Sequence, residues 1–369
     1  MSDSRKKPFL FENYPDLESG IPWIKLAPMR TPVKQLSKLQ EHLGINSLWV
    51  KQDDLTSPIY GGNKPRKLEF LLADAKNKDC DKVLTVGGIG SNHCVATAAF
   101  CNELNLESFG ALVYQPITIH VRNNLLLELY FKNNLIYSHT PRGMRLRVRW
   151  KLNKDNNIYY IGPGGSSPLG TLGFVNAALE LKNQIINGEL PEPDYIFVAN
   201  GSMGTTAGLT LGIILARLKT IIYGIQVTAP TFASVENTQK LAIKSRALLA
   251  NYDKSIPKLS FKHLIIDGNY YGEAYGKPTP EGLEAIKFIK ENEDITLEPT
   301  YTGKTFAGLI DYVQTKKINF KDKTVLFWNT FNSRDFSNII SKMDYHNLPK
   351  NLHWVFKQPL SEFNSNSFK

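Results

Sequence analysis

The sequence predicts an α/β fold of open, twisted, mostly parallel sheets with helices on both faces. Three observations carry this. Short β-branched and aromatic runs alternate with longer helical segments along the chain. No internal repeat of roughly 20 to 50 residues interrupts that alternation. Glycine-rich turns stand where strand-like runs meet helix-like ones, the end at which such sheets carry ligands. At 369 residues, 42% hydrophobic and 11% aromatic, the chain exceeds one minimal domain, and two are expected.

The strand-like runs are residues 82–86, 111–114, 157–161, 195–199, 221–227 and 324–328, each short, apolar and bounded by turn residues. Helical candidates lie between them at 66–76, 92–104, 169–187, 205–218, 280–292 and 305–316. Gly162-Pro163-Gly164-Gly165 and Leu190-Pro191-Glu192-Pro193 mark places for the chain to pass between lobes. The start and residues 361–369 are polar and expected to be mobile.

Composition narrows the function classes. No apolar stretch of about 18 residues occurs, and the start lacks an apolar signal core, so a soluble cytoplasmic protein without a membrane partner is expected. Cys80, Cys94 and Cys101 show no C-x-x-C spacing and the seven histidines no H-E-x-x-H, which leaves metal chemistry without support. The net charge is +10, densest at Arg142, Arg145, Arg147, Arg149 and Lys151. There the basic residues alternate with Leu146, Val148 and Trp150, the pattern of a strand or ribbon with a solvated basic face. No nucleic-acid-binding motif accompanies the charge, so nucleic acid is not an expected partner.

The sharpest local signal is Asn200-Gly201-Ser202-Met203-Gly204-Thr205-Thr206-Ala207-Gly208, after a strand and before an apolar helix. Small residues there let backbone N–H groups converge at a helix N-terminus, which favours a phosphate. A P-loop would need a lysine after the turn, and a dinucleotide fold a G-x-G-x-x-G near the chain start. Taken alone, the turn is equally compatible with a tight connection that binds nothing. A second turn, Gly87-Gly88-Ile89-Gly90-Ser91-Asn92-His93, follows residues 82–86 and again opens a helix.

Upstream lies Tyr60-Gly61-Gly62-Asn63-Lys64-Pro65-Arg66-Lys67. Pro65 suits a first helical turn, and a lysine at the positive end of a helix has its ammonium form disfavoured, which suits an amine that attacks an aldehyde. By itself such a lysine is more readily a solvated surface charge.

In that order and separation, residues 61–70, 87–93 and 201–208 resemble the cofactor-lysine segment, the substrate-carboxylate loop and the phosphate loop of the D-cysteine desulfhydrase and aminocyclopropane-carboxylate deaminase family. These are pyridoxal-phosphate enzymes of fold type II, the tryptophan-synthase-β-like architecture. Gly164-Gly165-Ser166-Ser167-Pro168-Leu169-Gly170, Tyr275-Gly276-Lys277-Pro278 and Pro299-Thr300-Tyr301-Thr302-Gly303-Lys304 fall where the family has similar motifs. The resemblance implies a large cofactor-binding domain of residues 1–65 and 175–369, a smaller inserted α/β domain of residues 66–174, and a homodimer.

Carried over by position, Lys64 would hold pyridoxal 5'-phosphate as a Schiff base and shuttle the substrate's α-proton. Lys67, at i+3, would reach the phosphate, with Gly201, Ser202, Met203, Gly204, Thr205 and Thr206 cradling it. Asn92 would bond the ring hydroxyl, and Ser91 the carboxylate of a small amino-acid substrate. Tyr275 and Tyr301 would face ring and substrate. Ser91 is also a ready helix cap, and each tyrosine a ready packed aromatic. His93 and Cys94 are read as structural.

Within the family the deaminases have a glutamate where this chain has Thr302, and a hydroxyl partner for the ring nitrogen suits elimination of a good leaving group. The expected reaction is therefore α,β-elimination from a β-substituted amino acid such as D-cysteine. Deamination of aminocyclopropane carboxylate, or cofactor binding without turnover, are the alternatives. One departure stands out. Where the family shows histidine-threonine-glycine-glycine, this chain has Asn329-Thr330-Phe331-Asn332. Thr330 keeps the hydroxyl beside the ring nitrogen, while Phe331 and Asn332 replace two glycines.

Overall fold

The computed structural model describes residues 7–27, 30–315 and 318–360. It divides into two compact units, Met1–Phe70 with Ser166–Ser333, and Leu71–Gly165 with Arg334–Lys369.

The larger unit is built on a six-stranded sheet in the order β1 (Val33–Gln35), β2 (Ser47–Gln52), β10 (Thr324–Asn329), β7 (Tyr195–Asn200), β8 (Ile221–Gln226) and β9 (Leu264–Asp267). β1 runs antiparallel to β2, and the remaining neighbours pair in parallel. Parallel neighbours need a crossover, and the helix Gly204–Leu215 supplies it between β7 and β8. Alternate residues of each strand feed opposite cores. Leu326, Trp328, Ile196, Val198 and Ile222 join a cluster with the helices Pro168–Ile186 and Gly204–Leu215. Val325, Phe327, Phe197, Tyr223 and Ile225 join another with Pro280–Glu293 and Thr302–Gln314. Burial on both faces is why these strands read as continuous apolar runs.

The smaller unit carries a four-stranded parallel sheet, β5 (Asn134–Ser138), β4 (Glu107–Val113), β3 (Lys82–Gly88) and β6 (Ile158–Ile161). The α/β class is as the sequence predicts, but details differ. β4 begins at Glu107 and not 111, because the whole strand registers on β3 from Lys82 opposite Glu107. The helix expected at 305–316 starts at Thr302. The basic run is no strand but the helix Pro141–Lys154. Thr140 caps it, its hydroxyl accepting from Gly143 N at 3.1 Å, and Pro141 fits the first turn. Met144, Val148 and Leu152 then supply an inward stripe at i, i+4 and i+8, a period that outweighs the alternation of charges.

The C-terminal segment, expected with the large domain, packs within the smaller unit instead. Leu348, Leu352 and Val355 share a core with Ile89, Cys94, Val121 and Leu125. The polar ends, residues 1–6 and 361–369, lie outside the described residues. No described helix is long and apolar enough to cross a membrane.

Candidate active site

Lys64 opens the helix Lys64–Asn77. The loop before it turns on Gly62 at φ +84, where a Cβ would also meet Thr330 O at 2.9 Å and Phe331 O at 3.0 Å, so glycine is needed. Asn63 N donates to Thr330 O at 3.2 Å. Gly61 N donates to Asn332 Oδ1 at 2.8 Å, and Ser333 Oγ donates to Asp54 Oδ2 at 2.8 Å. The segment after β10 is thus stitched to the loop that leads to the lysine, and Asn332 uses its amide in doing so.

Lys64 Nζ donates to Asn63 Oδ1 at 2.6 Å, and Asn63 Nδ2 to Thr205 Oγ1 at 3.0 Å. One side chain therefore links the lysine to the glycine-rich turn. Burial pushes the Lys64 amine down to about 8, with the Glu298 carboxylate pulling the other way. Desolvation leads here, where the sequence pointed to the helix terminus.

Below the C-terminal end of β7, Met203 adopts left-handed backbone, φ 69 and ψ −24, just before the helix Gly204–Leu215. That costs a residue with a side chain on the order of 1 kcal/mol and is the kind of strain found where backbone N–H groups are aimed at a ligand. Lys67 Nζ donates to Ser166 Oγ at 3.2 Å. The same oxygen lies 2.8 Å from Ser202 Oγ and accepts from Gly204 N at 3.2 Å. A Cβ on Gly204 would fall 2.5 Å from Ser166 Oγ and 2.8 Å from Lys67 Nζ, too close for any side chain. Thr206 Oγ1 is buried without a hydrogen-bond partner. Burial holds Lys67 well below the ordinary lysine range, and the charge of Lys64 lowers it further.

An ammonium, two hydroxyls and a helix N-terminal N–H converging at a partly buried point fit a phosphate ester, whose charge would restore the ammonium form of Lys67. With an amine primed for an aldehyde one turn away, the residues present fit pyridoxal phosphate. Ser166 was not among the residues expected from the sequence. Its signal was the Gly164-Gly165-Ser166 motif, which sequence reading left without a role.

Tyr301 and Tyr275 are hydrogen-bonded through their hydroxyls, with ring centroids 6.1 Å apart in an edge-on arrangement. The Tyr301 ring lies over Gly201, 3.2 Å from where a Cβ would stand. Thr302 is fully buried, and its hydroxyl accepts from Glu298 N at 3.0 Å. The Glu298 carboxylate in turn accepts from Thr300 N at 2.8 Å, Tyr301 N at 2.7 Å and Thr302 N at 2.9 Å, capping the helix Thr302–Gln314. Glu298 was also missed. A cap residue ordinarily stands directly before the first turn, and Glu298 stands four residues ahead of Thr302, so no local signal announced it. Thr330 is buried at the end of β10.

Beneath the lysine helix lies a buried ionic cluster. Arg66 bonds Asp53 at 2.7 and 2.9 Å and Glu180 at 2.8 and 3.0 Å. Lys51 reaches Glu180 Oε1 and Gln184 Oε1, each at 2.5 Å, and Trp328 Nε1 donates to Asp53 Oδ2 at 2.7 Å. Burial alone would raise Glu180, yet Arg66 and Lys51 bring it down to about 2.

Ser91 and Asn92 fall in the smaller unit. Ser91 caps the helix Asn92–Glu103, its hydroxyl accepting from Cys94 N at 3.3 Å. Asn92 Oδ1 accepts from His120 Nε2 and Asn124 Nδ2, both at 2.9 Å, and Asn124 Nδ2 also donates to Gly90 O at 2.9 Å. These bonds fix which way the Asn92 amide points. Burial pushes the Cys94 thiol far up, which leaves it inert. Among the described residues no group of three or more His, Cys, Asp and Glu could hold a metal ion.

Residues 24–330 match the protein-family model described as pyridoxal-phosphate dependent enzyme. The chain is 34% identical over 320 residues to a putative 1-aminocyclopropane-1-carboxylate deaminase of Pyrococcus abyssi, covering 85% of this chain and 92% of that one. It is 34% identical over 321 residues to a D-cysteine desulfhydrase of Serratia proteamaculans, covering 84% and 93%. Among solved structures it is similar to an ACC deaminase homologue, with TM-score 0.74 and 29% identity over 91% of this chain and 99% of the other. It shares the fold of a tomato (Solanum lycopersicum) threonine deaminase isoform, with TM-score 0.59 and 17% identity over 94% and 87%.

Proposed function

This chain belongs to the pyridoxal-phosphate-dependent enzyme family, and within it we propose a lyase acting on a small β-substituted amino acid. D-cysteine is the best candidate, yielding pyruvate, ammonia and hydrogen sulfide with one water consumed. The observation that carries the reading is the pairing of a partly buried amine of lowered basicity, Lys64, with the anion cradle of Lys67, Ser166, Ser202 and Gly204.

Pyridoxal phosphate, when bound, supplies an aldehyde for that amine and a ring that takes up the electron pair left at the substrate's α-carbon. The rest falls to this chain's side chains. Lys64, largely uncharged once the pH passes about 8, is the base for the α-proton. Lys67 and the cradle hold the phosphate, Tyr301 and Tyr275 line the ring and substrate, and Ser91 and Asn92 keep the roles that the resemblance implies.

No carboxylate stands at position 302, and the oxygens of nearby Glu298 are committed to three backbone N–H groups. Thr330 is the partner that the resemblance implies for the ring nitrogen. A ring nitrogen without a carboxylate withdraws electrons less strongly, which suits departure of a thiol over opening of a cyclopropane. A cytoplasmic homodimer is part of the same proposal.

A second reading, a deaminase giving 2-oxobutyrate from aminocyclopropane carboxylate, is favoured by the 34% identity to a protein of that description. Incubating the pure protein with D-cysteine, L-cysteine and aminocyclopropane carboxylate, and identifying the oxo acid, separates the two. Pyruvate from D-cysteine is expected. Visible absorbance after adding the cofactor, but no oxo acid from any of these, would instead mark a binding protein. Absence of any chromophore in wild type, or its persistence in Lys64→Ala, would end both enzyme readings.

A further inference from the structure

The helix Pro141–Lys154 of the smaller unit presents a face that neither the core nor the candidate site uses. Met144, Val148 and Leu152 turn inward. On the opposite side Leu146 and Trp150, one turn apart, are 64% and 63% exposed. At about 100° per residue these two form the crest of the helix. Arg142, Arg145 and Arg149 run down one flank of that crest, and Arg147 and Lys154 down the other.

The helix contains no acidic residue, and among the described residues none of its four arginines is ion-paired. Asp155, just past its end, is held by Lys82 at 2.9 Å. The charge therefore faces outward uncompensated, on a chain that is already +10. An exposed Leu–Trp crest between cationic flanks is complementary to an anionic lipid surface. Tryptophan and leucine settle at the boundary of headgroup and acyl chain, while guanidinium groups reach the phosphates.

We propose that this helix docks the protein peripherally on anionic phospholipid. A strand of nucleic acid fits less well, because Leu146 sits where a backbone-tracking groove needs a cation or a stacking ring. A protein partner would need a groove shaped to a convex ridge, whereas a bilayer surface yields to one. No described helix is long and apolar enough to cross a membrane, and lying on a surface requires no crossing.

The test is flotation of the full chain with phosphatidylcholine vesicles, with and without phosphatidylglycerol, at low and physiological salt. Binding is expected only where phosphatidylglycerol is present, weakening as salt rises. Arg145→Glu/Arg149→Glu should lower the partition at least tenfold, taking roughly fivefold per basic side chain lost. Leu146→Ser/Trp150→Ser should lower it severalfold. Lys240→Glu/Lys244→Glu, the same charge change on two exposed lysines of the helix Val235–Ala250, should leave it within about twofold, because a docking site is local.

No binding to the anionic vesicles, equal binding to phosphatidylcholine alone, or an equal loss in the lysine control overturns the proposal. So does tighter binding to single-stranded DNA than to the anionic vesicles. Should the arginine pair fail to fold, Arg149→Gln alone is expected to cost roughly fivefold, and no loss there counts against it equally.

Discussion

The side-chain amide oxygen of Asn332 accepts the backbone N–H of Gly61 at 2.8 Å, three residues before Lys64. A glycine at 332 could not make this bond. Asn332→Gly should therefore leave a partly buried N–H unpaired and lower stability by about 1 kcal/mol. Asn332→Asp, which keeps an acceptor, should lose less. Chemical denaturation of the two variants checks the order, and equal losses would show that the bond is not what matters at this position.

Ser166 gathers Lys67, Ser202 and Gly204 around one oxygen. Ser166→Ala is expected to weaken pyridoxal phosphate binding about tenfold, the scale of one hydrogen bond to a charged group. Phosphate-free pyridoxal should bind the variant as it binds wild type. Spectrophotometric titration with both compounds reads the difference, and a parallel loss for both would place Ser166 outside the phosphate site.

Burial brings the Lys64 amine down to about 8, against a carboxylate at Glu298 that favours the charged form. The neutral amine is the reactive one, so the rate of reaction with added cofactor should rise with pH and level off above about 8. An ordinary lysine would go on rising past pH 10. Removing the negative charge while keeping an acceptor, Glu298→Gln, should move the break to lower pH. Stopped-flow absorbance across pH measures it, and a shift to higher pH would contradict the assignment.

Glu128 is buried in the helix Ile119–Tyr130, accepting from Asn133 Nδ2 at 2.5 Å, and burial raises it to about 8. The folded state therefore keeps a proton that the unfolded chain releases near pH 4.5. Its stabilising contribution is complete below pH 4.5 and falls by about 1.4 kcal/mol per pH unit until about pH 8, then stays lost. Glu128→Gln, which can still accept from Asn133, should flatten this slope and be the more stable protein at pH 8. Thermal melts at pH 5 and pH 8 compare them, and a variant less stable at both would refute the account.

Arg66→Met would strand the carboxylates of Asp53 and Glu180 among buried groups. A loss of roughly 3–5 kcal/mol is expected in chemical denaturation. A loss under about 1 kcal/mol would mean that water reaches the cluster.

The sequence made the candidate lysine at position 64 more legible than the contacts around it. Strands such as β7 and β10 are apolar along most of their length because both faces are covered, and the glycines at 62 and 204 occupy places where a Cβ would collide. What escaped reading was set by contacts distant in the chain. Ser166 reaches Lys67 across 99 residues. Glu180 meets Arg66 across 114, and no local pattern announces either meeting. The helix Pro141–Lys154 misled because its charges alternate while its inward stripe, Met144, Val148 and Leu152, is sparse.

The four charges beneath the lysine helix also act as an index mark. Were that helix to slip by one residue, Pro65 or Lys67 would arrive opposite Asp53 and Glu180, and neither can replace the five-donor fork of Arg66. Two desolvated carboxylates would be left without their partner, so slipped alignments are excluded at a cost larger than most single contacts supply. The position of the Lys64 amine along its helix axis is thus chosen by ion pairing two residues away, independently of anything the amine itself touches.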